Sequence, residues 1–291
     1  MKHLFLAVFV SFTLAASAQK VSNKLTFAKG QKLEITTTGN SVITQEVMGQ
    51  PMEIKMDFNI ARTLNVADVS NGNAVIDHKI QSMKFSSEAM GQAQSFDSQK
   101  PEDLKSDIGK NLQKNLSKTY TMTVDAQGKV VAVKDNGDAA NKASEDAAGG
   151  PMGQMMGQMG AGFETPKVGD ATELAVLPAK ELAKGDSWTD SLTKVKGTKG
   201  AITYTVKDIT DTEVLVDYAQ NSTMETTQQM MGMDANINMK DKTTGTIVLD
   251  RKTGLMKQKT ANTNQEGTVD VQGMSIPVIT KGTITTTVKS L

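Results

Sequence analysis

The sequence predicts a mainly β protein: a long-stranded antiparallel meander used twice, half-barrel or sandwich-like, with one packed helix near 101–116. Three observations carry this. Residues 52–60 alternate strictly, with Met52, Ile54, Met56, Phe58 and Ile60 apolar and Glu53, Lys55, Asp57 and Asn59 polar, which is the period of a strand with one greasy face. Turn signals such as Asn71-Gly72 and Gln272-Gly273 punctuate the β-prone runs. Finally, the chain echoes itself. Residues 63–84 align without gaps on 203–224, matching Thr63 with Thr203, Val66 with Val206, Asp68 with Asp208, Asp77 with Asp217 and Ser82 with Ser222.

The elements follow in order. Residues 1–18 read as an export signal: a basic start, an apolar run over 4–16, and Ala16-Ser17-Ala18 as the small-residue cleavage site. No cysteine follows that run to carry a lipid anchor, so the mature chain is expected to begin near Gln19, exported to the periplasm or outside the cell. Residues 32–44 read as extended, and Gly49-Gln50-Pro51 as the turn before the alternating strand. Segments 63–69 and 74–84 are the next strands, joined at Asn71-Gly72, and the meander continues over 86–97 around Met90-Gly91. Over 101–116 the period changes. Leu104, Ile108, Leu112 and Leu116 recur every four residues behind Pro101 and early acids, which predicts a helix packed across the sheet. Residues 119–133 return to strand, turn at Ala126-Gln127-Gly128, and strand.

Residues 135–162 are rich in Ala, Gly, Asp, Asn and Met, and read as a connector or flap. The expected organisation is therefore a leader over 1–18, a first β unit with the helix over 19–134, a connector over 135–170 and a second β unit over 171–291. Strands resume from 201, with turns at Asp211-Thr212, Met231-Gly232, Lys252-Thr253-Gly254 and Gln272-Gly273. The echo extends to the hairpins at 121–128 and 246–254. Lys29-Gly30 opens one unit as Lys184-Gly185 opens the other.

Composition narrows the function. Thirty-two basic and thirty-two acidic residues balance, without the basic face of a nucleic-acid binder. With no cysteine there is no disulfide, so stability comes from burial and hydrogen bonding. No second stretch is long and apolar enough for a transmembrane helix.

An ordered set of short signatures then carries a resemblance: Lys29-Gly30-Gln31-Lys32-Leu33, Phe96-Asp97-Ser98, Val124-Asp125-Ala126-Gln127-Gly128-Lys129, Lys184-Gly185-Asp186-Ser187-Trp188 and Leu249-Asp250-Arg251-Lys252-Thr253-Gly254-Leu255. With the exported start, this set resembles an uncharacterised family of exported bacterial β-proteins, domain of unknown function 6263. The resemblance implies fold and location but no activity. The architecture is also similar to periplasmic lipoprotein carriers, whose curved sheet holds acyl chains; fold alone does not fix function.

Catalytic motifs are few. His78 is the one histidine outside the leader, in Ile76-Asp77-His78-Lys79-Ile80, and reads as a structural residue on the Ile76/Ile80 face. No Gly-x-Ser-x-Gly elbow, P-loop or dinucleotide fingerprint accompanies it. Asp125 and Asp250 precede turns and suit turn chemistry. Trp188 reads as a core anchor at a strand start. The expectation is thus no enzyme and no cofactor. Binding of an apolar small molecule or lipid is expected on Met52, Ile54, Met56, Phe58 and Ile60. The alternative is Cu(I) handling by the thioethers of Met152, Met155, Met156 and Met159, since soft ligands suit Cu(I). A further alternative is an envelope structural or interaction protein without a small ligand, its partner unknown.

Overall fold

Alternation at period two is realised over very long strands. The computed structural model describes residues 20–47, 49–136, 165–192, 197–230 and 233–291. In chain order come β1 (Lys32–Val47), β2 (Gln50–Ser70), β3 (Asn73–Ala89) and β4 (Gln92–Asp97), then α1 (Pro101–Lys105) and α2 (Asp107–Leu116), then β5 (Thr119–Val124) and β6 (Val130–Asp135). The second half supplies β7 (Ser187–Ser191), β8 (Thr198–Ile209), β9 (Glu213–Met230), β10 (Met233–Asp250), β11 (Met256–Val271) and β12 (Met274–Ser290).

All of these strands form one open antiparallel sheet in the order β6-β5-β3-β2-β1-β12-β11-β10-β9-β8-β7, with β4 added to the far end of β3. The echo in the sequence is an echo in space. The run β6-β5-β3-β2-β1 is matched by β11-β10-β9-β8-β7, and β12 is the seam between the copies. Even irregularities repeat: the register slips between Val66 and Asp68 against β3, and between Val206 and Asp208 against β9. Gly30 N–H donates to the Val66 carbonyl at 2.8 Å, as Gly185 N–H does to that of Val206. Lys29 pairs with Asp68 at 2.9 Å, and Lys184 with Asp208 at 2.8 Å. In each pair the lysine holds the aspartate below its ordinary carboxylate range, by hydrogen bond first and charge second.

Most turns fall where expected, but Gln50 and Pro51, read as part of the turn at Gly49-Gln50-Pro51, already belong to β2 and pair with Val47 and Glu46. Asn71 and Gly72 take φ of 51° and 80°, and Gln272 and Gly273 51° and 83°, the left-handed pairs of tight hairpins. The Asp125 carboxylate accepts the N–H groups of Gln127 and Lys129, and that of Asp250 accepts from Thr253. Met231-Gly232 lies outside the described residues.

Two further expectations need correction. Segments 52–60 and 63–69 are one strand, β2, because the inward alternation runs unbroken through Ile60, Arg62 and Leu64. An arginine at an inward position hides that continuity. The helix over 101–116 is two, because Ser106 adopts an extended backbone and its Oγ accepts the Gly109 N–H at 3.0 Å. It is an N-cap in mid-sequence, and it starts α2 afresh.

Inward side chains build two clusters. One joins both halves: Leu33, Leu64, Ile76 and Val124 meet Trp188, Val216, Ile247 and Leu249. Segments 20–28 and 165–186 thread between the halves and supply Leu25, Leu174, Leu177 and Leu182. Leu25 N–H donates to the Ala126 carbonyl at 2.7 Å, and Thr26 N–H to that of Thr253 at 2.8 Å, so one short stretch touches the corresponding hairpin of each copy. Each fully buried leucine is worth about 1.5–3 kcal/mol. The second cluster, in the first half alone, places Leu112 of α2 over Met56, Phe58, Ile60, Met83, Phe85 and Phe96.

Candidate functional site

The inner face carries the candidate site. Met52, Ile54, Met56, Phe58 and Ile60 share that face of β2, as their spacing requires. The chain itself occupies most of them. Met56, Phe58 and Ile60 are buried beneath α2, and Ile54 packs at the cluster's edge. Met52 instead lines a hollow of about 590 Å³ at the hairpin tips, with Pro51 and Met90. Another hollow, about 550 Å³, is lined both by the rings of Phe58, Phe85 and Phe96 and by the exposed Thr38, Asn40, Asp57, Asn59 and Ser86. Met152, Met155, Met156 and Met159 lie outside the described residues. Among the described residues no group of three or more His, Cys, Asp or Glu is placed to hold a metal ion.

The two copies differ in what covers them. In the first, α1 and α2 are inserted between β4 and β5, and α2 closes the far inner face. In the second, β9 pairs with β10 with no helix between them. Along the seam, β11 and β12 carry seven inward residues that are small or aliphatic, Ala261, Gly267 and Val269 on one strand and Ile284, Gly282, Val278 and Ile276 on the other, interrupted on the same face by Thr263, Gln265 and Thr280. All seven are only half-buried. They floor a trough whose side is the α2 cluster, which Ile284 touches, and whose end is the shared core, which Ala261 and Val288 touch. Met239 and Met224 are direct cross-strand partners beside it, and the Met239 thioether lies over Gly267, where a Cβ would meet it.

Polar groups gather where the trough meets the core. Arg62 projects inward from β2 with its side chain 3% exposed, and its Nη2 donates to Glu173 at 2.9 Å. Arg62 Nε has no partner. Next to it His78 is buried against Tyr120, and neither of its ring nitrogens is hydrogen-bonded. Burial, then the charges of Arg62 and Lys118, push its pKa down to about 4. Burial pushes Tyr120 up to about 12. From the other side, Lys259 of β11 holds its ammonium 5.1 Å from the centre of the Tyr218 ring. Burial lowers its pKa, and the Glu173 charge partly opposes this. Thr37 and Thr286 hydroxyls meet at 3.2 Å on the row of Lys259, one inward position from the row of Arg62.

The stretch 52–60 was legible because its alternation is apolar. Arg62 and Glu173 were not, although one signal existed: Arg62 is one of two arginines in the chain and falls on the inward phase of β2. Nothing local marks Glu173, whose role comes from the path of 165–186 across the sheet. Trp188 is a core residue, stacked on Tyr204 with ring centres 4.9 Å apart.

A family model described as a family of unknown function (DUF6263) matches residues 71–256. No curated protein matches the sequence. Among solved structures, one of lipid–protein interactions in lipovitellin is similar at a TM-score of 0.50 and 12% identity, covering 91% of this chain and 25% of that one. That likeness concerns the fold alone, and this chain spans about a quarter of the lipovitellin chain. An outer membrane channel from Pseudomonas putida F1 matches at a TM-score of 0.24 and 9% identity, covering 92% of this chain and 98% of that one. OccK7 of Pseudomonas aeruginosa matches at 0.24 and 8% identity, covering 91% and 100%. Neither channel match is strong enough to bear on the fold.

Proposed function

This chain belongs to a family of unknown function (DUF6263), and on that premise we propose that it is an exported, non-enzymatic protein that binds an elongated apolar ligand, a lipid or lipid-like molecule, on the inner face of its sheet. The observation that carries the reading is the trough along β11 and β12. Its floor, Ala261, Gly267, Val269, Ile276, Val278, Gly282 and Ile284 with Thr263, Gln265 and Thr280 among them, is half-buried, and among the described residues no helix packs over the far part of it. Small residues on a wide sheet leave room for a chain-like guest, and burial of apolar area supplies the affinity.

The fold shared with lipovitellin, a protein whose structure concerns lipid–protein interactions, agrees with this reading. The leader-like segment 1–18 supports export to the periplasm or beyond. Support for a non-catalytic role comes from the groups that could act: His78 is sealed against Tyr120, and Asp125 and Asp250 are spent on turns. The site thus lies across the seam from the stretch 52–60, whose far face α2 fills.

Native mass spectrometry of protein purified from its own source tests the reading. An adduct of lipid size is expected, lost when Val278 and Met239 are replaced by aspartate. A bare polypeptide mass, together with no uptake of added lipid, would sink it and favour a protein partner instead.

A further inference from the structure

The trough does not end in apolar core alone. At its closed end two cations face inward from opposite copies: Arg62 is paired with the Glu173 carboxylate, and Lys259 is near enough to feel that charge. Arg62 uses Nη2 on Glu173 and leaves a buried Nε without an acceptor. Lys259 has the π face of Tyr218, and no hydrogen-bond acceptor or ion-pair partner among the described residues. Asp241, the nearest other acid on the inner face of β10, is engaged by Gln220 and Thr243, six positions along β10 from the Lys259 partner Ile247. An orphaned buried donor calls for a missing acceptor, which here means Arg62 Nε, while the half-buried Lys259 adds a second inward positive charge nearby. The carboxylate present is also loosely seated: the Glu173 side chain is 39% exposed, on a segment without regular structure, while its arginine partner is fixed in the sheet.

We infer that the closed end of the trough is an anion site for the head group of a monoanionic amphiphile of fatty-acid type, whose carboxylate sits between Arg62 and Lys259 in the place Glu173 now takes or shares. The inference rests on the proposed apolar trough and adds to it the ligand's charge and direction. The tail runs from this site over Ile284, Gly282, the methyl of Thr280 and Val278 towards Ile276. From Thr286, the in-register neighbour of Lys259, to Ile276 the path follows β12 for roughly 33 Å at the rise of an extended strand. A carboxylate is the chemistry to expect, because a carboxylate already fits the arginine here.

The test is fluorescence titration of purified, delipidated full-length protein with a dansyl-labelled long-chain fatty acid and with its methyl ester, butyrate serving as competitor. Wild type should bind the acid about tenfold tighter than the ester, the size of one charge-assisted contact. Lys259→Gln should lower the acid's affinity several-fold towards the ester's, Arg62 keeping the remainder, while the ester's affinity reports whether the trough is intact. Glu173→Gln should tighten the acid several-fold by removing the resident carboxylate. Equal binding of acid and ester by wild type, or equal weakening of both by Lys259→Gln, would overturn the head-group site while leaving an apolar trough. Butyrate competing as well as an unlabelled long-chain acid would replace the amphiphile by a free anion. Binding of neither acid nor ester would overturn the apolar-ligand reading itself.

Discussion

His78 lies flat against Tyr120, with ring centroids 4.4 Å apart and planes 10° from parallel. The stack buries an imidazole whose nitrogens are closed off from the surface and have no hydrogen-bond partner among the described residues. Arg62 and Lys118 add positive charge, so the ring is neutral in the fold.

That neutrality makes stability depend on pH. The folded pKa is about 4 against an ordinary 6.5. Between those values the unfolded chain takes up a proton that the folded one refuses, so stability is full above the upper value and is lost as pH falls towards the lower. The loss is roughly 3 kcal/mol at most. Urea midpoints at pH 7 and pH 4.5 should fall for wild type and fall much less for His78→Phe, which keeps the stack. Equal drops would remove His78 from the explanation.

Phe58 lies over Gly39, its direct cross-strand partner, so a Cβ at position 39 would stand 2.3 Å from the ring. By strand preference alone Gly39→Ala would stabilise. Overpacking against a ring held beneath α2 should instead cost about 1–3 kcal/mol. The same change in a Phe58→Leu background should cost clearly less, read from the urea midpoints of the four proteins. Additive effects would contradict the contact.

Leu25 bridges the hairpins of both copies, and Trp188 sits in the same cluster from the second half. Leu25→Ala should cost about 2–5 kcal/mol. Fluorescence of Trp188 and far-ultraviolet circular dichroism should then report one shared transition at a lower denaturant midpoint. Two separate transitions would show that the halves unfold independently.

Ser106 caps α2 through Gly109 N–H. Ser106→Ala should cost about 1 kcal/mol and speed amide exchange at Gly109 and in the turn that carries Leu112, while leaving β9 and β10 unchanged. Unaltered exchange there would mean that packing alone holds the helix.

Much of this was legible in the sequence where physics is local. Asn71-Gly72 and Gln272-Gly273 declare their turns because few residues accept a left-handed backbone. The duplicated Lys-Gly and Asp-containing turns pointed correctly to two copies of one β unit. What failed needed partners distant in the chain. Nothing near Gln81 announces that β3 slips register there against Ala61 and Arg62. Residues 165–170, read with the connector, include Lys167 and Asp170, which help to seat a segment whose Leu174, Leu177 and Leu182 fill the space between the copies. The apolar stretch 52–60 was found, but its cover by Leu112 was not, because a strand's pattern does not tell protein from ligand as the thing it buries against.

The place of β12 has a kinetic consequence. It is the last strand in chain order, yet it pairs with β1 and β11 at the centre of the sheet. Until β12 is in place, β1 and β11 each present a bare edge, and among the described residues no β-ladder joins the copies. Pairing Leu33 with Ser290 closes a loop spanning almost the whole described chain, the kind of contact that slows folding. A sheet whose two halves are joined only through β12 completes late, and its open edges are exposed to edge-to-edge aggregation for as long as that takes.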